Sequence, residues 1–184
     1  FALGGSYAAR VADQEMIGAA MRNHTLADMH HDGLRAAVFE ALLHAETVPN
    51  RKAEMLESGR ETAGALHEAL KANAALALPA EVRSALASVE APLGRYEEAA
   101  QSIMTLAFAD RVAAIARLPD FDKSFEALAV AMEKTGDALA LVASEQTLAV
   151  RSLNQTAGWI GLVAMLAAFA VAVATVLIAD RRIA

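Results

Sequence analysis

Apolar residues recur every three or four positions along most of the chain, which is the spacing of one face of an α-helix. No stretch sustains the alternation of polar residues with Val, Ile, Thr or aromatic residues that is typical of a half-buried strand. Alanine, the best helix former, is abundant throughout. The pattern therefore predicts an all-α protein.

Prolines separate the helical segments, because proline lacks a backbone donor and restricts the residue before it. Pro49, Pro79 and Pro119 each lie between two such segments. Pro92 lies inside the third segment, where we expect it to kink the helix without dividing it. The four long helices are predicted at residues 6–46, 50–76, 79–107 and from 120 onward, and a short helix is predicted at 111–118. Short connections between them predict an up-down-up-down antiparallel four-helix bundle.

Each predicted helix carries one apolar stripe that we expect to face the core. In the first helix the stripe is Ala27, Leu34, Val38, Ala41 and Ala45, with His30 or His31 between the first two. In the second it is Leu56, Gly59, Ala63, Leu66, Leu70 and Ala74. In the third it is Val82, Leu86, Val89, Leu93, Tyr96, Ala100, Ile103 and Ala107. In the fourth it is Phe121, Phe125, Leu128, Met132, Thr135, Leu139, Val142, Gln146, Ala149 and Leu153.

The segment from Ala157 to Ala179 is an uncharged apolar run of 23 residues. Roughly 20 apolar residues of helix cross a bilayer, so the run predicts a membrane helix that continues from the fourth helix. Trp159 near one end suits the headgroup region, and the Arg181-Arg182 pair beyond the other end predicts a cytoplasmic C-terminus. The alternative is a core helix of a large soluble protein, but no other segment is comparably apolar. The expected location is a bacterial inner membrane, with residues 6–156 periplasmic.

The first residues, Phe1-Ala2-Leu3-Gly4-Gly5, contain neither an initiator Met nor an intact signal peptide. The sequence is therefore expected to be a fragment. The expected organisation is the end of an earlier membrane helix at 1–5, a sensor domain at 6–156, a membrane helix at 157–179 and the start of a cytoplasmic linker at 180–184.

Composition narrows the possible functions. The net charge of −6 and the lack of a basic cluster argue against a nucleic-acid surface. Without cysteine there is no disulfide, thiolate metal site or thiol nucleophile. No phosphate-binding GxxxxGK[ST], GxSxG or HExxH motif is present either. We therefore expect no catalytic activity and no cofactor.

One polar face of the first helix is a candidate metal site. At helical spacing His24, Asp28, His31 and Arg35 lie on the same side, and two imidazoles with a carboxylate could hold zinc or another divalent metal. A metal site also needs a ligand from elsewhere, and only His44 and His67 are available. A solvated face, with the acids paired to neighbouring histidines and Arg35, is the favoured interpretation.

A small-ligand site between helices is the second candidate. Arg35 and Arg60 could hold a carboxylate through two parallel hydrogen bonds, with His31 and Asp28 beside Arg35. Arg83 or Arg95 could do the same from the third helix. The alternative for each arginine is an exposed ion pair with a nearby acid.

The run Asp28-Met29-His30-His31-Asp32-Gly33-Leu34-Arg35-Ala36-Ala37-Val38 resembles the "MHDALRADV" signature of one protein family. That family is the four-helix-bundle sensor regions of bacterial methyl-accepting chemotaxis proteins. An extra His and a Gly stand here where the signature has one His and an Ala. The corner Leu118-Pro119-Asp120-Phe121 agrees with the resemblance, and the closing run 179–184 looks like the lead-in to a HAMP linker.

The resemblance implies a homodimeric membrane receptor, in contact with lipid, that senses a small molecule or a periplasmic binding protein. Its output would control a cytoplasmic histidine kinase through an adaptor, using parts of the protein that follow this sequence. The signal would travel as a displacement of the fourth helix. A sensor region of a histidine kinase or cyclase is one alternative, and a structural or partner-binding bundle without a small ligand is another.

Overall fold

In a computed structural model of the chain, the backbone is described for residues 2–183 and the side chains for residues 9–148, 159, 165 and 166. The described backbone is helical and contains no strand, which confirms the predicted all-α class. The helices are α1 (Ala2–His44), α2 (Lys52–Ala74), α3 (Ala80–Ala87), α4 (Glu90–Ala107), α5 (Arg111–Ala116) and α6 (Leu118–Ile183). A 3₁₀ turn at Pro49–Arg51 precedes α2.

The chain divides into two compact units, Phe1–Val142 and Ala143–Ala184. The boundary falls within α6. The first unit contains the buried core, in which α1 packs against α2 and α4, and α2 packs against α4. The predicted domain boundaries at residues 5, 156 and 179 stay predictions.

Local sequence sets the helix boundaries much as the proline pattern predicts. Pro79 occupies the N-cap of α3 with extended backbone. The predicted short helix is confirmed as α5, whose N-cap Asp110 accepts a hydrogen bond at its Oδ1 from the amide of Ala113 at 3.0 Å. Pro119 lies in the first turn of α6, where a missing donor breaks no helical hydrogen bond.

The prediction for Pro92 is wrong, because the helix is divided rather than kinked. α3 ends at Ala87 and α4 begins at Glu90. Pro92 cannot donate to the carbonyl of Ser88, four residues earlier, and its ring crowds that carbonyl. The Ser88 hydroxyl donates to the carbonyl of Ala85 at 2.6 Å. The division leaves α3 as a short separate helix beside α2.

The buried residues match the predicted stripes of α1, α4 and α6. In α1 all five predicted positions are buried, and His31 rather than His30 fills the position that the pattern left open. The confirmed α4 and α6 positions are Leu93, Tyr96, Ala100, Ile103, Ala107, Phe121, Phe125, Leu128, Met132, Thr135 and Leu139. Two further predicted α6 positions, Val142 and Gln146, are half-buried, and Ala149 and Leu153 lie outside the residues whose side chains are described.

The stripe of α2 is only partly buried. Gly59, Leu66 and Leu70 face the core, whereas Leu56 and Ala63 are half-buried and Ala74 is exposed. Apolar positions of α2 therefore also face open space.

The predicted inner-membrane location is wrong. Within the described residues, no helix combines the length and the apolarity needed to cross a bilayer. Within the predicted span, Trp159 is described and its side chain is exposed. Ala157 and Ala179 lie outside the residues whose side chains are described, as do Arg181 and Arg182 of the predicted cytoplasmic anchor.

Two glycines of α2 provide a matched test of the packing. A Cβ at Gly64 would meet nothing within 4 Å, whereas one at Gly59 would lie 2.5 Å from Met104 Cε. Alanine is favoured over glycine in a helix by about 0.5–1 kcal/mol. We therefore expect Gly64→Ala to raise the free energy of unfolding by about that amount, and Gly59→Ala to raise it less or lower it, since Met104 must move. Urea denaturation measures both variants, and equal gains would contradict the described contact.

Candidate functional site

A stack of aromatic rings joins three helices at the centre of the first unit. The imidazole of His31 in α1 lies on the ring of Phe125 in α6, with centroids 4.1 Å apart and planes 10° apart. Tyr96 of α4 meets His31 edge-on at 5.0 Å and packs against Phe121 at 5.3 Å. These four residues, the aromatic stack, join α1, α4 and α6.

One hydrogen bond orders the aromatic stack further. The Tyr96 hydroxyl donates to the backbone carbonyl of His31 at 2.8 Å. Burial raises the pKa of Tyr96 far above its ordinary value, so the hydroxyl stays protonated and remains a donor. The Nε2 atom of His31 is buried and has no hydrogen-bond partner among the described residues. Burial also lowers the pKa of His31, against the opposing charge of Asp32.

Arg35 covers the outer side of the aromatic stack. Its guanidinium carbon lies 4.3 Å from the centroid of the Phe125 ring, which is a cation–π geometry. Its Nη2 atom lies 3.3 Å from Asp122 Oδ1. Arg35 is therefore engaged within the fold and links α1 to α6.

The three residues proposed for a metal site have different environments. His31 is buried in the aromatic stack and Asp28 is exposed to solvent. His24 is half-buried against α6, where a Cβ on Gly136 would lie 2.8 Å from its Nε2. Burial lowers the pKa of His24, although Asp28 opposes the shift. Among the residues whose side chains are described, no group of three His, Asp or Glu residues is arranged to hold a metal ion.

A cleft of about 280 Å³ lies between α2 and α4, and we call it the α2–α4 cleft. Apolar side chains, among them Leu34, Leu56 and Met104, form part of its wall. Its polar lining consists of Arg60, His67, Glu97, Gln101 and Thr105. An apolar cleft with a few converging polar groups is the usual form of a small-ligand site.

The polar groups of the α2–α4 cleft are only loosely paired with one another. Glu97 Oε1 is buried without a hydrogen-bond partner in the described chain and lies 3.7 Å from His67 Nδ1. Burial raises the pKa of the Glu97 carboxyl, while His67 acts in the opposite direction. Arg60 Nη1 contacts Glu57 Oε2 at 3.1 Å in an exposed pair. Such surface pairs contribute only about 0–1 kcal/mol, so a ligand can displace them.

The structure separates the residues predicted to form a ligand site. Arg60 lines the α2–α4 cleft, whereas His31 belongs to the aromatic stack and Arg35 lies over it. Asp28 faces solvent.

The sequence analysis did not predict four polar residues of the cleft for a ligand site: Glu97, Gln101, Thr105 and His67, the last of which was considered only as a metal ligand. One signal was available, because His67 lies seven residues after Arg60 and four after Ala63, on the same face of α2.

Comparisons with protein-family models, curated proteins and solved structures find no match to this chain. The resemblance to chemotaxis sensor regions therefore stays a prediction.

The buried imidazole predicts a stability that depends on pH. The pKa of His31 is lowered in the folded chain from its ordinary 6.5, so below pH 6.5 the unfolded chain binds this proton first. The contribution of His31 is complete above pH 6.5 and is lost as pH falls towards the folded pKa. His31→Phe keeps a ring stacked on Phe125 but cannot bind a proton. We therefore expect the free energy of unfolding of this variant to fall less as the pH is lowered.

Urea denaturation at several pH values between 5 and 7.5 measures the effect. His24 and Glu97 also titrate with shifted pKa values, but their contributions are common to both proteins. His30→Gln is the matched control, because it removes an adjacent imidazole outside the stack. An identical pH dependence for His31→Phe and the unmodified chain would contradict this assignment.

Proposed function

We propose that the first unit is a sensor bundle that binds a small polar carboxylate in the α2–α4 cleft. In this proposal α1, α2, α4 and the first part of α6 run up-down-up-down and antiparallel. The observation that carries the binding role is the convergence of Arg60, His67 and Glu97 on one cleft with an apolar wall.

The packing and the connections support the bundle arrangement. α1 contacts both α2 and α4, and these two also contact each other. The chain between α1 and α2 spans residues 45–51, and that between α2 and α3 spans 75–79. Connections this short favour antiparallel neighbours.

The cleft residues suggest the chemistry of the ligand. Arg60 presents a planar fork of donors that suits a carboxylate, and its pair with Glu57 is exposed and replaceable. The buried oxygen of Glu97 lacks a hydrogen-bond partner in the described chain, so a ligand ammonium or hydroxyl would satisfy it. An amino acid or a hydroxy acid carries both kinds of group. Ala63 and Gly64 leave room for the body of such a molecule.

The same helix that lines the cleft also contacts α6, which offers a route for a signal. Glu97 lies in the cleft, while the preceding residue Tyr96 packs against Phe121 and Phe125. A ligand that binds one rotation of α4 better than another shifts the population between them. In the proposal, α4 and the start of α6 shift by about 1–2 Å, as in other small helix displacements.

The signature around Asp28–Val38 supports assigning this sensor to the methyl-accepting chemotaxis type. Sensor regions of histidine kinases or cyclases remain alternatives for the output. The role proposed for these residues is binding and not catalysis. If no small ligand binds, the alternative function is a bundle that binds only a protein partner.

We expect at least one amino acid or organic acid to raise the melting temperature of the protein, because a ligand of the native state stabilises it. Isothermal titration then measures the Kd of that compound. Arg60→Gln should raise this Kd about tenfold or more, which is the loss expected for a charged hydrogen bond. Arg51→Gln is the matched control. Arg51 also pairs with an acid three residues away, Glu54, but it does not line the cleft.

Two results would refute the proposed site. One is a screen in which no amino acid, hydroxy acid or other organic acid shifts the melting temperature. The other is a bound acid whose Kd responds equally to Arg60→Gln and Arg51→Gln, since that would reflect net charge and not the α2–α4 cleft.

A further inference from the structure

A second cleft lies where α2, α3 and α4 meet, and we call it the corner cleft. Its volume is about 440 Å³, larger than that of the α2–α4 cleft and within the usual range for small-molecule sites. Six apolar residues form most of its wall: Leu70, Ala74, Leu86, Ala87, Val89 and Leu93. The cleft can therefore remove an apolar group of some length from water.

α3 forms one side of this cleft. It is a separate helix of eight residues, and buried Leu78 and Val82 anchor it. Beyond these anchors, Ala74 of α2 and Ala87 of α3 are too small to fill the space between their helices. The gap thus follows from small residues at the positions where the helices approach.

The polar lining of the corner cleft carries an excess of positive charge. Lys71 and Arg83 contribute two cations and Glu90 one anion, with His67 the remaining polar residue. Lys71 Nζ contacts Glu68 Oε1 at 3.2 Å in an exposed pair. Arg83 is exposed and makes no ion pair with any residue whose side chain is described. Its guanidinium is therefore available to an anion.

We propose that the corner cleft binds a monocarboxylate with an unbranched apolar tail, such as a medium-chain fatty acid. The carboxylate pairs with Arg83, with Lys71 as a second cation. The tail lies against Leu70, Leu86 and Leu93. This proposal does not rest on the proposed function, because it concerns a different cleft and a different class of ligand, although His67 borders both clefts.

The test is isothermal titration of the whole chain with hexanoate, octanoate and decanoate, each below its micelle concentration. Each added methylene that enters the cleft should lower the Kd about fourfold. 1-Octanol has the same tail without the charge, and should bind about tenfold or more weakly than octanoate.

Variants then locate the binding. Arg83→Gln should weaken octanoate binding about tenfold, and Ala74→Phe, which fills the cleft, should abolish it. Arg95→Gln is the matched control, because Arg95 is also an exposed arginine but lines neither cleft. Arg60→Gln should leave octanoate binding unchanged, which separates this result from the test of the α2–α4 cleft.

Several results would overturn the proposal. One is that none of the three acids binds. Another is that octanoate and 1-octanol bind equally well. A third is that octanoate still binds to both Arg83→Gln and Ala74→Phe. Loss of octanoate binding in Arg60→Gln but not in Arg83→Gln would place the acid in the other cleft. Circular dichroism of each variant distinguishes lost binding from lost folding.

Discussion

The arrangement of the first unit depends on the buried contact between His31 and Phe125. This contact joins the middle of α1 to the start of α6, and Tyr96 joins α4 to both. Stacked and edge-on ring pairs are worth about 0.5–1.5 kcal/mol beyond the burial of their area, and they prefer particular geometries. A core of aliphatic side chains would bury similar area but would fix the rotations of the helices less strictly.

The rotation of α4 is the consequence that matters for function. With Tyr96 held against His31, Glu97 lines the α2–α4 cleft. Gln101 and Thr105, which follow Glu97 at four-residue spacing on the same face of α4, line it too. The same rotation turns Leu93 towards the corner cleft. The arrangement has a cost, because the Nε2 atom of His31 is buried without a partner in the described chain. An unpaired buried polar atom destabilises a fold by about 1–3 kcal/mol.

Periodicity in the sequence was enough to predict the core but not the clefts. A stripe such as that of α6 from Phe121 to Leu139 identifies the buried face, because burial follows helical spacing. It cannot show where small residues leave a gap between two helices, as Ala63 and Ala74 do in α2. The choice between His30 and His31 likewise needed the contact with Phe125, which lies 94 positions beyond His31 in the chain and so has no local signature.

Two errors have the same origin in local reasoning. The continuous apolar phase across Pro92 indicated one helix, but phase does not include the clash of the proline ring with the preceding turn. The apolar run at 157–179 indicated an inner-membrane location, yet no helix among the described residues is long and apolar enough to cross a bilayer. The sequence also could not distinguish between two candidate arginines of the ligand site. Arg35 and Arg60 look equivalent in sequence, but of the two it is Arg60 that lines the α2–α4 cleft.

A double-mutant cycle on His31 and Phe125 tests the central claim most directly. The free energies of unfolding of His31→Ala, Phe125→Ala and the double variant give the coupling energy between the two rings. If this contact organises the helices, the coupling should be about 1 kcal/mol, with the double variant less destabilised than the sum of the single variants. Additive effects, with a coupling energy near zero, would contradict the account.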